Sequence, residues 1–504
     1  MSFVQRIGGL IEAFRPADGP PPQKLGAFFR WCLEGSWPML WLAGALSAIA
    51  GAMEVVSALF LGWVIDAALA SGAEVFFTQH FWLLVAFAGF YLLLRPLAFA
   101  ASAASNSIIV GPNVLPLVLS RLHRWTLGQA VTFFDNDFAG RIAQKQMQAA
   151  RAVTDVATEV INTVAFALAS VIGSIVFLVA VDYRVALALA VWLGAYVFTI
   201  RYFMPRVRVN SAARASARAM VTGQVVDTIT NIKTVKLFAH AAFEDRVALK
   251  AMQVFRERSL EFGKISTLFR FALMTLAGAL PLMLIGGTLV LWGQGATTAG
   301  AIVAAGAISM RIAQMSGWVS FTLMSIYTAV GEVEDGMRTL SAPHTLADAP
   351  DAVALTRVKG EVTFRDVSFA YGRKRGGVEH INLTIHAGEK LGIVGASGAG
   401  KSTLVSLLLR LYDPEKGAVL IDGQDVQGVT QESLRRQIGM VTQETAMFNR
   451  SARDNIKYGR PDADEAEIIE ATRAAEAHEF ITTMIDHNDR IGYDAYLGER
   501  GVKL

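Results

Sequence analysis

The residues with the clearest chemistry form a glycine-rich loop at positions 395–403, which reads GASGAGKST. A short apolar run at 390–394 precedes the loop and an apolar run at 404–411 follows it, an order typical of strand, turn and helix. Glycine lets the backbone approach a phosphate closely, and the N–H groups that open a helix attract anions. The spacing G-x-x-x-x-G-K-[ST] therefore predicts a loop that binds the phosphates of a nucleotide.

Two side chains in this loop have predicted individual roles. Lys401 is long enough to reach the β- and γ-phosphates, and the Ser402 hydroxyl is placed to bind Mg²⁺. The residues of the predicted nucleotide site in this loop are Gly395, Ser397, Gly398, Ala399, Gly400, Lys401, Ser402 and Thr403. Downstream, Asp422 ends another apolar run, but Gly423 follows it, so we interpret the pair as a turn between strands and not as a magnesium ligand.

The chain that carries this loop is far more apolar than an ordinary soluble protein. Its 504 residues are 53% hydrophobic and 18% charged, and its mean hydropathy is +0.40. A net charge of +3 is too small over this length to favour nucleic acid as a partner. The apolar residues concentrate in six segments, at 38–70, 81–110, 153–181, 185–203, 269–292 and 299–330. Each can cross the bilayer, which needs about 20 helical residues.

The basic residues predict how these segments are oriented. The connections 111–152 and 204–268 contain five and eleven Lys or Arg residues, whereas 71–80 and 293–298 contain none. Basic connections stay on the cytoplasmic side, so we expect both termini and both long connections in the cytoplasm, with a cell inner or plasma membrane location. The few Gly and Pro residues in the long connections predict membrane helices that continue into the cytoplasm.

The sequence divides into four predicted regions. Residues 1–36 form an N-terminal tail that ends in a short helix at the membrane interface, and residues 37–340 form the six-helix domain. Residues 341–359 are a polar linker, and 360–504 form the nucleotide-binding domain. The predicted fold class is an α-helical membrane domain of six transmembrane helices with long cytoplasmic extensions, followed by a partial α/β P-loop domain.

Six spans followed by a phosphate-binding loop on one chain resemble a half-transporter of the ATP-binding cassette (ABC) exporter family. The resemblance implies that the nucleotide is ATP, that Tyr371 stacks on its adenine and that Gln443 contacts Mg²⁺. Residues 133–140 resemble the first cytoplasmic coupling loop, with Phe134 and Asp135 as its coupling residues. A second coupling helix is expected near 223–228, with Gly223 and Asp227.

The chain stops at Leu504, where the family continues into its signature motif. We therefore expect a chain truncated before the signature, the Walker B acid and the switch histidine, with no catalytic residue to name and no turnover of its own. For the full-length parent, the resemblance implies a dimer, most simply a homodimer, that exports or flips a lipid, drug or small amphipathic molecule. The alternative is a subunit that does not hydrolyse ATP, or a membrane protein regulated by nucleotide.

Three charged residues lie inside predicted spans, namely Glu54, Arg95 and Arg311. Charges are unfavourable in hydrocarbon, so intramembrane charges have either a partner or a function. One interpretation is that they pair with one another or with other polar groups between helices. The other is that Arg95 or Arg311 lines the substrate cavity and contacts an anionic substrate.

Overall fold

The computed structural model describes residues 3–135, 139–356, 358–372, 377–442 and 447–497. The chain forms two compact units, Met1–Leu346 and Ala347–Leu504, whose boundary falls within the stretch predicted as a linker. The predicted magnesium contact Gln443 and the stretch 498–504 lie outside the described residues.

Six long helices build the first unit. Their bounds are Trp37–Ser71, Phe81–Leu127, Gly140–Val181, Tyr183–Thr230, Ala241–Gly293 and Ala299–Leu340. They contain 35 to 53 residues each, and all are long and apolar enough to cross a membrane. A helix of 35 residues is about 50 Å long, well beyond the hydrocarbon thickness of about 30 Å. The prediction of six spans is confirmed, and in the described residues these helices extend well into both long connections.

Shorter helices lie at the ends of the long ones. They are Phe3–Gly8, Leu25–Cys32, Phe76–Gln79, Val131–Asp135 and Ile232–Leu237. The short helix expected before the first span is present, and it buries Phe28 and Cys32 completely. Residues 223–228, where a second coupling helix is expected, form no separate helix and continue the fourth long helix to Thr230. No proline interrupts that stretch, and the Asn231 amide donates to the backbone carbonyl and the side chain of Asp227 where the helix ends.

Three π-helical turns widen the second and third long helices, at Phe90–Leu94, Ser105–Val110 and Val160–Ala165. The first two lie just before Pro96 and Pro112. Proline has no N–H, and its ring clashes with the carbonyl four residues earlier, which here lies in the widened turn. The wider turns thus let the second helix continue through Pro96 and Pro112.

Small residues allow the first long helix to approach its neighbours closely. A Cβ at Gly51 would lie 2.3 Å from the carbonyl oxygen of Phe166 on the third helix, and one at Gly62 would lie 2.9 Å from that of Gly300. Close approach through small residues is a common way for membrane helices to pack. These contacts fix the first helix against the third and sixth.

The second unit contains a small antiparallel sheet in the order β2-β1-β3-β4. The strands are β1 Val362–Phe369, β2 Val378–Ile385, β3 Lys416–Ile421 and β4 Gln424–Asp425. Val367, Val419, Leu407 and Leu434 are fully buried in its core. Five α-helices follow β2, at Lys401–Leu408, Gln431–Arg436, Ala452–Ile456, Glu465–Ala474 and His478–Thr482. Single 3₁₀ turns occupy Val426–Gly428, Lys457–Gly459 and Gly492–Asp494.

The strand expected at 390–394 is not formed. These residues carry no strand pairing in the described structure, and Val394 is 93% exposed. A strand requires a partner for its backbone N–H and C=O groups, and none of the described segments pairs with this one. Its apolar residues therefore lie outside the described sheet.

Candidate functional site

The loop at 395–403, predicted to bind phosphates, owes its shape to glycines at positions where other residues do not fit. Gly398 and Gly400 have φ angles of 80° and 87°, in the left-handed region that glycine adopts without strain. A Cβ at Gly400 would also lie 2.5 Å from Cγ1 of Val378 and 2.7 Å from the carbonyl oxygen of Gly377. The start of β2 therefore holds the loop closely, and only glycine is tolerated at this point.

The helix Lys401–Leu408 begins directly after Gly400. The Lys401 ammonium group donates to the carbonyl oxygens of Gly395 and Ala396, each at 2.8 Å. The positive charge of Lys401 therefore lies beside the first residues of the loop, on the chain segment where the helix begins. Ser402 is exposed, whereas Thr403 is buried in the helix. Positive charge and free helix N–H groups at one point suit a bound polyphosphate.

Tyr371 lies beside this loop. Its hydroxyl is 3.1 Å from the Thr403 hydroxyl, and its ring makes edge contacts with Phe369 and Tyr412 at centroid distances of 4.7 and 5.1 Å. The side chain is 44% exposed, so a face of the ring remains available for stacking. Folding thus brings together the two parts of the predicted nucleotide site that lie farthest apart in the described sequence.

The expected coupling residues occupy two different kinds of element. Phe134 and Asp135 end the short helix Val131–Asp135, and Phe134 is exposed. Gly223 and Asp227 lie in the last two turns of the fourth long helix.

The three intramembrane charges meet at one place. One oxygen of Glu54 is 2.9 Å from Nη2 of Arg95, and the other is 3.1 Å from Nε of Arg311. The Glu54 side chain is 8% exposed, whereas those of Arg95 and Arg311 are 34% and 37% exposed. The interpretation that these charges pair with one another agrees with the structure.

Comparison with known families assigns both units. The description "ABC transporter transmembrane region" matches residues 40–316, and "ABC transporter" matches residues 378–493. The first match alone covers more than half of the chain. The chain belongs to the ABC transporter family.

Relatives of this ABC transporter share its arrangement along nearly the whole chain. An uncharacterized ABC transporter ATP-binding protein of Haemophilus influenzae is 39% identical over 496 residues, which cover 97% of this chain and 80% of the relative. An ATP-dependent lipid A-core flippase of Syntrophus aciditrophicus is 29% identical over 401 residues, or 78% of this chain and 65% of the flippase. The structure of a bacterial Atm1-family ABC exporter with ATP bound matches with a TM-score of 0.74 at 25% identity, over 95% of this chain and 82% of that one. The transporter is thus a half-transporter, with a helical membrane domain fused to an ABC nucleotide-binding domain.

The residues of the described site fit Mg²⁺ only in part. The Ser402 hydroxyl is exposed at the start of its helix and is a suitable oxygen ligand. The described segments contain no group of three His, Cys, Asp or Glu residues that could hold a metal ion by themselves. A magnesium ion that is bound largely through nucleotide phosphates requires few protein ligands. Ser402 therefore fits such an ion, and the second predicted contact, Gln443, lies outside the described residues.

Asp422 lies in the turn between strands that the sequence predicts at this position. It has a φ angle of 46°, Gly423 has one of 79°, and the pair joins β3 to β4. Its carboxylate accepts hydrogen bonds from the N–H groups of Glu361, Lys359 and Gly360. These bonds, that from Glu361 most of all, hold the pKa of Asp422 below its usual value. The interpretation of Asp422 and Gly423 as a turn is confirmed.

Sequence reasoning missed two residues that shape the site, Gly377 and Val378. They press against Gly400, and a Cβ at Gly377 would lie within 2 Å of the carbonyl oxygen of Phe369. The signal was the glycine pair at 376–377 directly before the alternating apolar and polar residues of β2, since glycine next to a strand often marks a close backbone approach.

Proposed function

We propose that this ABC transporter works as a dimer of half-transporters that uses ATP to export or flip an amphipathic substrate across the inner or plasma membrane. The observation that carries the proposal is the phosphate-binding loop at 395–403 on the same chain as six membrane-length helices. A dimer of two such chains, most simply a homodimer, would provide twelve spans and two nucleotide sites. The basic connections favour cytoplasmic termini, with the ATPase units on that side.

The proposed roles of the site residues follow from their positions. Lys401 and the N–H groups around Gly398 and Gly400 hold the phosphates of ATP, and Tyr371 stacks on the adenine. Ser402, with Gln443, binds the Mg²⁺ ion, which supplies positive charge against the phosphate oxygens. Phe134 and Asp135, together with the short helix Ile232–Leu237, transmit the nucleotide state to the membrane domain. The other expected coupling residues, Gly223 and Asp227, precede the start of that helix by nine and five residues.

The proposed substrate is a lipid, drug or small amphipathic molecule. One relative is named as a lipid A-core flippase, which supports a lipid-like substrate. The membrane unit also contains a cavity of about 360 Å³ between its fifth and sixth helices, lined by Phe269, Leu273, Met274 and Phe321 beside the polar Arg270 and Gln314. Such a mixed lining suits a molecule with one apolar end and one polar end.

Replacing Lys401 by Ala tests the proposal. We expect Lys401→Ala to lose ATP binding and ATP-driven transport, because the ammonium group that contacts the phosphates is gone. Binding of a fluorescent ATP analogue and ATP-dependent uptake of labelled lipid into inside-out vesicles measure the two effects. Lys416→Ala, which alters an exposed lysine of the same unit, is the matched control and should change neither.

The outcomes separate the proposal from its alternative. ATP affinity that is unchanged in Lys401→Ala would contradict the phosphate site. Normal ATP binding by the native protein, without hydrolysis or transport, would favour a subunit that binds nucleotide without turning it over.

A further inference from the structure

The charged cluster formed by Glu54, Arg95 and Arg311 lies deep within the membrane unit. Glu54 is 17 residues from either end of the helix Trp37–Ser71, which places it about 25 Å from both ends. Arg95 lies 14 residues after the start of the second span and Arg311 lies 12 residues after the start of the sixth, or roughly 20 Å from the outer ends. A group roughly 20–25 Å along such a helix lies within the stretch that about 30 Å of hydrocarbon would cover.

The cluster carries more positive than negative charge. Two guanidinium groups share one carboxylate, which leaves one positive charge in excess. Each guanidinium group has five N–H donors, and Glu54 occupies few of them. Among the described residues, Nε of both arginines is buried without a hydrogen-bond acceptor, since Nε of Arg311 is near Glu54 but poorly aligned with it. The cluster therefore has both charge and donor capacity for one further anion.

The exposed parts of the two arginines cannot face lipid. More than a third of each guanidinium side chain is accessible in the single chain, and a charge in contact with hydrocarbon at this depth is strongly unfavourable. Such residues face a water-filled cavity or another protein surface instead. We therefore place the exposed parts of the Arg95 and Arg311 side chains inside the assembled transporter, away from lipid.

Aromatic rings lie beside the charges. The Arg95 guanidinium carbon is 5.2 Å from the centre of the Phe99 ring, and that of Arg311 is 5.8 Å from the centre of the Phe166 ring. Trp318 lies next to Phe166 and is 40% exposed. A substrate held at the arginines would therefore have apolar surface beside its anionic group.

We propose that Arg95 and Arg311 form an anion-binding site for one phosphate or carboxylate group of an amphipathic substrate. Glu54 holds the two guanidinium groups in position and cancels one of their charges, which leaves the site with one net positive charge. Both arginines can then donate paired hydrogen bonds to the oxyanion. This inference rests on the proposed export function.

The test measures binding to the purified full-length protein in lipid nanodiscs. The probes are labelled dodecyl phosphate and labelled dodecyl maltoside, which share an apolar chain, whereas only the first has an anionic headgroup. The variants are Arg95→Gln, Arg311→Gln, Glu54→Gln and the double variant Glu54→Gln/Arg311→Gln. Arg184→Gln, which removes an exposed arginine at the start of the fourth span, is the charge-matched control.

We expect the native protein to prefer dodecyl phosphate and each single arginine variant to lose that preference by roughly tenfold, as for the loss of a charged hydrogen bond. Glu54→Gln should keep or strengthen the preference because it raises the net positive charge. The double variant should retain part of it, and Arg184→Gln should match the native protein. The control and the double variant also report whether a loss reflects misfolding.

Two results would overturn the inference. Equal binding of both probes by the native protein would remove the anion site, and a loss in Glu54→Gln as large as in Arg311→Gln would make the cluster a structural ion pair only. Inorganic phosphate that displaces dodecyl phosphate at equal concentration would assign the site to a soluble anion, against the amphipathic substrate. Binding needs no ATP, so a failure of the export function would appear separately, as transport that Lys401→Ala does not abolish.

Discussion

Asp422 and Tyr371 illustrate how single residues hold the nucleotide-binding unit together. The Asp422 carboxylate accepts hydrogen bonds from the backbone N–H groups of three residues that directly precede β1, namely Lys359, Gly360 and Glu361. Tyr371 joins the end of β1 to the loop helix through Thr403. A single substitution at either residue removes these contacts, and the resulting change in stability or ATP affinity can be measured.

The hydrogen bonds to the Asp422 carboxylate should make the stability of the folded protein depend on pH. Its pKa is lowered in the folded protein, so the ionised carboxylate stabilises the fold above its usual pKa of 3.8, and this contribution is lost as the pH falls through the lowered value. We expect Asp422→Asn to lower the melting temperature of the nucleotide-binding unit at neutral pH, and to melt with a shallower pH dependence below about pH 5.

Thermal melting followed across that pH range checks this expectation, with Asp462→Asn, an exposed aspartate, as the control. Identical melting curves for Asp422→Asn and the native protein would show that the three N–H bonds contribute nothing to stability.

Two substitutions of Tyr371 separate its ring from its hydroxyl. If the ring stacks on adenine as proposed, Tyr371→Ala should weaken ATP binding by roughly tenfold, as for the loss of an aromatic ring from a base. Tyr371→Phe should keep most of the affinity, since it removes only the bond to Thr403. Titration with a fluorescent ATP analogue measures both, and equal losses in the two variants would contradict the stacking role.

At the scale of elements, the first membrane helix depends on glycines at its contacts. Gly51 touches the backbone of the third helix, whereas Gly44 in the same helix has nothing within 4 Å of its Cβ position. In a helix, alanine is intrinsically favoured over glycine by about 1 kcal/mol. The two positions therefore respond to the same substitution in opposite ways.

We expect Gly51→Ala to destabilise the membrane unit by about 1–3 kcal/mol, because the new methyl group overlaps the carbonyl oxygen of Phe166. Gly44→Ala is the matched control and should be neutral or slightly stabilising. Thermal unfolding in detergent measures both. Equal stability of the two variants would mean that the first and third helices can move apart to accommodate the new methyl group without a loss of stability.

Hydrogen bonds from Arg121 on the second long helix hold the N-terminal segment against that helix. Arg121 is 2% exposed and donates to the carbonyl oxygens of Arg15, Trp31, Cys32 and Glu34. Three of these carbonyls lie at or after the last turn of the helix Leu25–Cys32, where free carbonyl groups attract a cation. The arginine thereby fixes the segment that leads into the first span.

At the scale of the whole molecule, the proposed dimer makes a quantitative prediction. If ATP turnover requires two intact chains, native and Lys401→Ala chains that pair at random in equal amounts should give about one quarter of the native activity. Independent chains would give about one half. Co-expression with two different affinity tags, followed by an ATPase assay, distinguishes the two values.

Much of this architecture could be predicted because its signals are local. Six long apolar runs specify six spans, and the nine residues 395–403 contain the glycines and the lysine of the phosphate loop. The expectations that differ from the described structure concern relations between segments. The run 390–394 has strand-like residues but pairs with no described segment. Residues 223–228, where a second coupling helix is expected, continue the fourth long helix because nothing ends that helix before Asn231.

The sequence alone therefore determined the membrane spans, the glycine-rich loop at 395–403 and the turn at Asp422, since each depends on local residues. It also placed Glu54, Arg95 and Arg311 in hydrocarbon, but it left open whether they pair. Only the tertiary structure decided that one carboxylate lies between two arginines from other helices. That outcome depends on how closely three helices approach, and the approach is set by contacts such as the one at Gly51, which link residues more than a hundred positions apart.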